Sequence, residues 1–295
     1  MAVSTSDSTP EQSTQKPCVF IHVNHKQILG AIVGAHSLRR NSAHADRFDV
    51  RLIETKDHSF LQDREGQPFL RNGVMRPWRN NDLQSFTPLR FMPPELMGYS
   101  GRAVVIDPDV FAVGDVWELL SRDMQGKAIM CRPRNRKSRS VHGPMATSVM
   151  LLDCAKLRHW QVENQFNEMF EGKLDYKDWI TLRHEDRDSI GLFENYWNDL
   201  DVLTKHTKML HTTKRWTQPW KAGLPIEVPA LTVNRLCGSG IQAAVSGAQM
   251  ILLDGGNLFG SSHGRVVLLK TLVVAFMVFI AMSARQYVNA KLPRA

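Results

Sequence analysis

Arg102-Ala103-Val104-Val105-Ile106-Asp107-Pro108-Asp109-Val110-Phe111-Ala112-Val113-Gly114-Asp115 is the stretch that decides how this chain folds. Its opening, residues 102–106, is an unbroken apolar run after Arg102 that reads as a buried strand, and it ends abruptly at two carboxylates one residue apart. Carboxylates just past a buried strand stand at the edge of a sheet, where both can reach a hard divalent cation that also holds a diphosphate. Spacing alone leaves a strand-terminating turn equally open. Asp186-Arg187-Asp188 and Asp199-Leu200-Asp201 repeat the spacing and serve as internal controls, read as carrying no function.

Working outward, residues 19–23 form a short β-branched run. Residues 27–40 carry Ile28, Ile32, Ala35 and Leu38 near helical spacing, and a strand over 48–54 follows. This strand, helix and strand open a Rossmann-like sheet, in which ligands collect at the carboxyl ends of strands. Beyond Gly114-Asp115 the sequence predicts a helix over 116–120, a buried strand over 148–152, and a helical, aromatic-rich region to about Trp220.

A chain of 295 residues with 43% apolar and 22% charged content is long enough for a substantial core, and it excludes collagen-like, disulfide-scaffold and wholly disordered classes. Cys18, Cys131, Cys154 and Cys237 form no C-x-x-C pair, and the first residues hold no apolar signal-peptide core. The expectation is a reducing, cytoplasmic compartment without structural zinc. Residues 1–16, rich in Ser, Thr and Gln, read as a disordered leader.

The net charge of +8 is unevenly spread. From Val228 onward six Lys or Arg face one acid, Asp254, so most of the excess flanks an apolar tail and points to a membrane surface before a nucleic acid. No nucleic-acid partner is expected. A second basic run, Arg132, Arg134, Arg136, Lys137 and Arg139, has no interleaved aromatics; it reads as a solvated loop, with an anion-binding loop as the alternative.

His211, in Lys208-Met209-Leu210-His211-Thr212-Thr213-Lys214-Arg215, is the second candidate for chemistry. Imidazole is a good third ligand for manganese, and neighbouring hydroxyls and cations suit phosphate oxygens. An ordinary surface or core histidine is the plainer reading.

Three ordered segments now resemble a known family. Phe86 to Leu96 (FTPLRFMPPEL), Gly98-Tyr99-Ser100-Gly101-Arg102, and Val105 to Asp115 with its Asp-x-Asp and Gly-Asp are similar to the family 8 retaining glycosyltransferases, which have the GT-A fold. Leu210-His211 through Gln218-Pro219-Trp220 resembles that family's His…Lys-Pro-Trp motif. The resemblance covers about residues 17–225. It implies a Rossmann-like mixed sheet with flanking helices, a metal site of Asp107, Asp109 and His211 for Mn2+ or Mg2+, and donor contacts from Arg90. Two departures stand out: Gln218 replaces the phosphate-contacting Lys, so that Lys214 or Arg215 would supply the cation, and the spacing from His211 to Pro219 is one residue longer; the family's Gly near Thr213 or Lys214 is also replaced.

A different resemblance begins near Val228. Val233-Asn234-Arg235-Leu236-Cys237-Gly238-Ser239-Gly240-Ile241-Gln242-Ala243-Ala244 is similar to the nucleophile segment of thiolases, over about 228–254. It implies a Cys237 thiol activated at a helix amino terminus. No cysteine follows Cys237, whereas a working thiolase has a second one, so no acyl transfer is expected. Residues 266–284 are almost wholly apolar apart from Lys270; they read as a hydrophobic helix long enough to span a bilayer and anchor a cytosolic catalytic domain, with a buried helix as the alternative.

The expected activity is metal-dependent transfer of a sugar from a nucleotide-sugar donor, a UDP-sugar by the resemblance, to an acceptor the sequence does not identify. The rivals are a thiolase-like acyltransferase and an inactive sugar-nucleotide binder. Donor sugar and oligomeric state are not legible.

Overall fold

The computed structural model describes residues 15–82, 85–214 and 218. Arg215, Cys237, the thiolase-like stretch at 228–254 and the apolar stretch at 266–284 lie outside the described residues. The chain divides into two compact units, Met1–Ala222 and Gly223–Ala295, and every described residue belongs to the first. Among the described residues no helix is long and apolar enough to cross a membrane. Of the expected leader, 1–16, only residues 15 and 16 are described, and Lys16 Nζ lies 2.7 Å from Asp49 Oδ1.

In chain order the elements are β1 (Cys18–Val23), α1 (Ile28–Arg40), β2 (Asp49–Glu54), α2 (Ser59–Gln62), β3 (Pro68–Arg71), β4 (Val74–Pro77) and α3 (Pro93–Leu96). They continue with β5 (Arg102–Ile106), β6 (Val110–Ala112), α4 (Trp117–Leu120), β7 (Ile129–Pro133), β8 (Met145–Asp153) and α5 (Val162–Phe170). The last are α6 (Tyr176–Ile180), β9 (Ile190–Leu192), β10 (Asp199–Leu200) and β11 (Met209–His211). The main sheet runs β2-β1-β5-β8-β7-β9. β1 pairs parallel with β2 and β5, β8 pairs antiparallel with β5 and β7, and β7 pairs parallel with β9. The sheet is therefore mixed α/β and rich in parallel pairs. Since β8 is antiparallel to both neighbours, β5 and β7 point the same way, and the carboxyl ends of β1, β5 and β7 share one edge.

Residues Ala103 to Ile106 of β5 are fully buried, which is why they read as a continuous apolar run rather than an alternating one. Helix α1 departs from its expected face. Gly30, Ala31, Gly34 and Leu38 are the buried positions, whereas Ile32 is half-buried. The cause is close approach: a Cβ on Gly34 would stand 3.1 Å from the Val110 carbonyl oxygen, so small residues face β6. On the far side, Val162, Phe166 and Met169 of α5 are buried at helical spacing, with Phe166 edge-on to Trp78. Each such side chain contributes roughly 1.5–3 kcal/mol.

Candidate functional site

Asp107 and Asp109 follow β5 and precede β6. A second, three-stranded sheet of order β10-β11-β6 brings the third residue to them. β11 lies antiparallel on β6 with His211 opposite Val110, one residue beyond Asp109. Thr212, 103 residues from Asp109, closes the register by donating its N–H to the Asp109 carbonyl at 2.9 Å and its hydroxyl to the same oxygen at 3.1 Å. Gly114 permits this closeness. The Lys208 carbonyl accepts from both Val113 and Gly114, and a Cβ on Gly114 would stand 3.3 Å from Lys208 Cα and collide with its side chain. Asp115 fixes the other end of the turn by accepting from the Trp117 N–H at 2.9 Å and the Ala43 N–H at 3.2 Å. The Gly-Asp pair is thus an architectural device that holds β11 against the Asp-x-Asp.

One ligand atom from each of Asp107, Asp109 and His211 lies within 4.8 Å of the others. His211 Nδ1 lies 3.1 Å from Asn198 Oδ1, whose own amide nitrogen donates to Ser148 Oγ at 2.8 Å. That arrangement assigns the Nδ1 proton and leaves Nε2 facing Asp109 Oδ1 at 3.2 Å. A lone pair facing a carboxylate calls for a proton or a cation between them. Burial pulls the His211 pKa down, but Asp109 and then Asp107 more than reverse it, so the net shift is upward. Two carboxylates and an imidazole, preset in this way, could hold a divalent metal ion. Asp107 is pushed up by burial against the pull of Arg90 and His211.

A cavity of about 480 Å3 opens in front of the triad. Arg90, buried at its wall, donates to Asp107 Oδ1 at 2.7 Å and to Thr147 Oγ1 at 2.5 Å. Lys214 stands outside the cavity lining, where its backbone N–H donates to Asp201 at 3.0 Å. Gln218 lines the cavity instead. Its amide donates to Asp109 Oδ2 at 3.1 Å and to the Thr212 carbonyl at 2.7 Å, and its Oε1 is buried with no hydrogen-bond partner. The basic run is not the solvated loop that the sequence favours at its first residue. Arg132 belongs to β7, is 2% exposed, and donates to the carbonyls of Asn198 and Pro133. It is buried because β7 lies inside the sheet, which a run of charges conceals. Arg136 pairs with Asp199.

Sequence reading missed His22 and Asn198. His22, one residue before the end of β1, has no exposure, and its Nε2 stands 2.9 Å from Asp107 Oδ1 out of line for a hydrogen bond. Burial and then Arg90 hold its pKa well below the usual value, so it is neutral. A histidine near the end of a buried strand at the ligand edge was the available signal. Asn198 carried none. The three described cysteines are free and buried, and burial pushes each thiol up to about 12.

No family model matches the chain. Among curated proteins it is similar to the beta-ketothiolase BktB of Cupriavidus necator, 74% identical over 31 residues, and to the mitochondrial 3-ketoacyl-CoA thiolase of Bos taurus, 61% identical over 31 residues. Each match covers 10% of this chain and spans 8% of the relative's length. Among solved structures the chain is similar to the galactosyltransferase LgtC in complex with donor and acceptor sugar analogs, at 13% identity and a TM-score of 0.49, over 70% of this chain and 90% of that one. It is also similar to the glycosyltransferase GlyE of Streptococcus pneumoniae, at 16% identity and a TM-score of 0.49, over 70% of this chain and 56% of that one.

Proposed function

We propose that the described unit is a GT-A, family 8-type glycosyltransferase that takes a sugar from a nucleotide-sugar, a UDP-sugar by the resemblance, and passes it to an acceptor hydroxyl. The observation that carries this reading is the convergence of Asp107, Asp109 and His211 at the carboxyl end of β5, facing a cavity of about 480 Å3. These three residues would hold Mn2+ or Mg2+. Such an ion, when bound, supplies positive charge against the leaving diphosphate.

The chain's own residues do the rest. Asn198 holds the His211 ring in one tautomer, so no reorganisation is needed on binding. Arg90, steered by Thr147 and Asp107, presents a fixed cation at the wall beside the triad, where a sugar-phosphate oxygen can be met. Gln218 offers a neutral amide where the resemblance would have a lysine, so diphosphate binding leans on the triad and Arg90 more heavily. Acyl transfer by Cys237 is not part of the proposal, because the thiolase likeness is confined to 31 residues.

Thermal-shift titration of the full chain tests the reading. UDP-sugars with Mn2+ should raise the melting temperature and acetyl-CoA should not. Stabilisation by acetyl-CoA alone, with acetoacetyl-CoA thiolysis that Cys237→Ser removes, would replace it with the thiolase reading.

A further inference from the structure

The cavity has two ends, and only one is explained by a metal and a diphosphate. At the triad end the described cations of the lining are engaged: Arg90 by Asp107 and Thr147, and Arg132 by two backbone carbonyls. At the other end the lining carries Arg134, just past β7, and Lys177, in α6. Neither side chain has a hydrogen-bond or ion-pair partner among the described residues. Among the described residues the acids of the cavity lining are Asp107 and Asp109, both at the triad end. Of the two acids beside Lys177 in sequence, Asp178 pairs with Arg183 at 3.4 Å, and Asp175 is taken by the N–H groups of Asn72, Gly73 and Lys177 at 2.7–3.1 Å.

Geometry separates the two ends. In the sheet, β8 lies between β5 and β7, and β7 runs further past the edge, Ile106 pairing with Val149 but Pro133 with Met145, so Arg134 stands at least two strand spacings, roughly 10 Å, from Asp107. That separation exceeds the reach of a diphosphate already seated on the triad and leaves room for a sugar between the two ends. Lys177 is moreover held among like charges: burial, then Arg134, then Arg71 push its pKa below the usual range. An anion at that spot relieves the repulsion, whereas a neutral hexose does not.

We propose that Arg134 and Lys177 form a subsite for a carboxylate or phosphate carried by a sugar, either the sugar transferred or the acceptor. The assignment rests on the glycosyltransferase reading and adds the charge class of its substrate. Walls from Tyr176, Thr181 and Met145 complete the subsite, giving it an apolar and hydroxyl-bearing lining around the two cations.

Isothermal titration of the full chain with Mn2+ distinguishes the sources. In the donor arm, UDP-glucuronic acid is compared with UDP-glucose; in the acceptor arm, glucuronic acid and glucose 6-phosphate are compared with glucose in the presence of UDP. The expected result is at least a tenfold preference for the anionic probe in one arm. That preference is lost in Lys177→Met with Arg134→Ala and retained in Lys177→Arg, with melting temperatures reporting that each variant is folded. No preference in either arm, or one that survives the double substitution, overturns the subsite. UDP titrated alone keeps the two readings apart. UDP binding without charge preference removes only the subsite, and absence of UDP binding removes the glycosyltransferase reading and the subsite together.

Discussion

Strand β11 lies between two Asp-x-Asp pairs, and the two are put to opposite uses. On the β6 side, Asp107 and Asp109 face the cavity, sharing it with His211. On the β10 side, Asp199 and Asp201 are saturated by protein donors. Asp199 accepts from Arg136 and from Thr207 Oγ1 at 2.8 Å, while Asp201 accepts from the Thr213 N–H at 2.8 Å, the Thr213 hydroxyl and the Lys214 N–H at 3.0 Å. Identical spacing therefore says little about chemistry. A carboxylate whose oxygens are spent on N–H and O–H groups has nothing left for a cation, whereas one facing another acceptor across a cavity does.

The sharpest test of this contrast is Asp109→Ala. Loss of one charged ligand should lower Mn2+-dependent donor hydrolysis by about 100-fold or more. Asp188→Ala, in the exposed third pair, should leave it unchanged. Equal losses at both positions would break the comparison.

Asn198→Ala comes next. Freed from Oδ1, the His211 ring loses its fixed tautomer, and Mn2+ affinity, followed by electron paramagnetic resonance, should fall about 10- to 100-fold while Asp107 and Asp109 remain. An unchanged affinity would mean that the β6 side binds without a preset imidazole.

On the β10 side, Asp201→Ala should act chiefly on the fold. Unfastening the segment after His211 should cost about 1–2 kcal/mol in urea unfolding, since three hydrogen bonds from exposed Thr213 and Lys214 groups are lost and water replaces them only in part, with a smaller change in Mn2+ affinity. An affinity loss as large as that of Asp109→Ala would make Asp201 a ligand rather than a fastener.

The smallest effect belongs to a carboxylate outside both pairs. Asp175 caps α6 and gathers the Asn72 and Gly73 N–H groups of the β3–β4 turn. Burial raises its pKa, but the N–H groups of Gly73, Lys177 and Asn72 together outweigh that, so it lies below the usual carboxylate range. Its folded pKa being depressed, its stabilisation is present above the unfolded pKa and is lost as pH falls through the folded one. Asp175→Ala should cost about 1 kcal/mol at neutral pH, and the difference in urea midpoint should narrow below about pH 4.

The sheet edge was legible because its signal is local. Buried strand β5 matches the expected run, and β1, α1 and β2 begin within a residue of their expected starts, since side-chain period follows from backbone geometry. Strand β7 and the β3–β4 hairpin were not read, because Arg132 and Arg71 interrupt apolar runs that tertiary packing nevertheless accepts. The sequence by itself determined the strand, the paired carboxylates at its end and a candidate histidine. Only the tertiary structure decided that His211 pairs against Val110, that Asn198 aims its ring, that Gln218 bonds to Asp109, and that Arg134 and Lys177 line the same cavity. Pairing between segments some hundred residues apart depends on register and close approach, such as Lys208 against Gly114, and no short-range pattern encodes either.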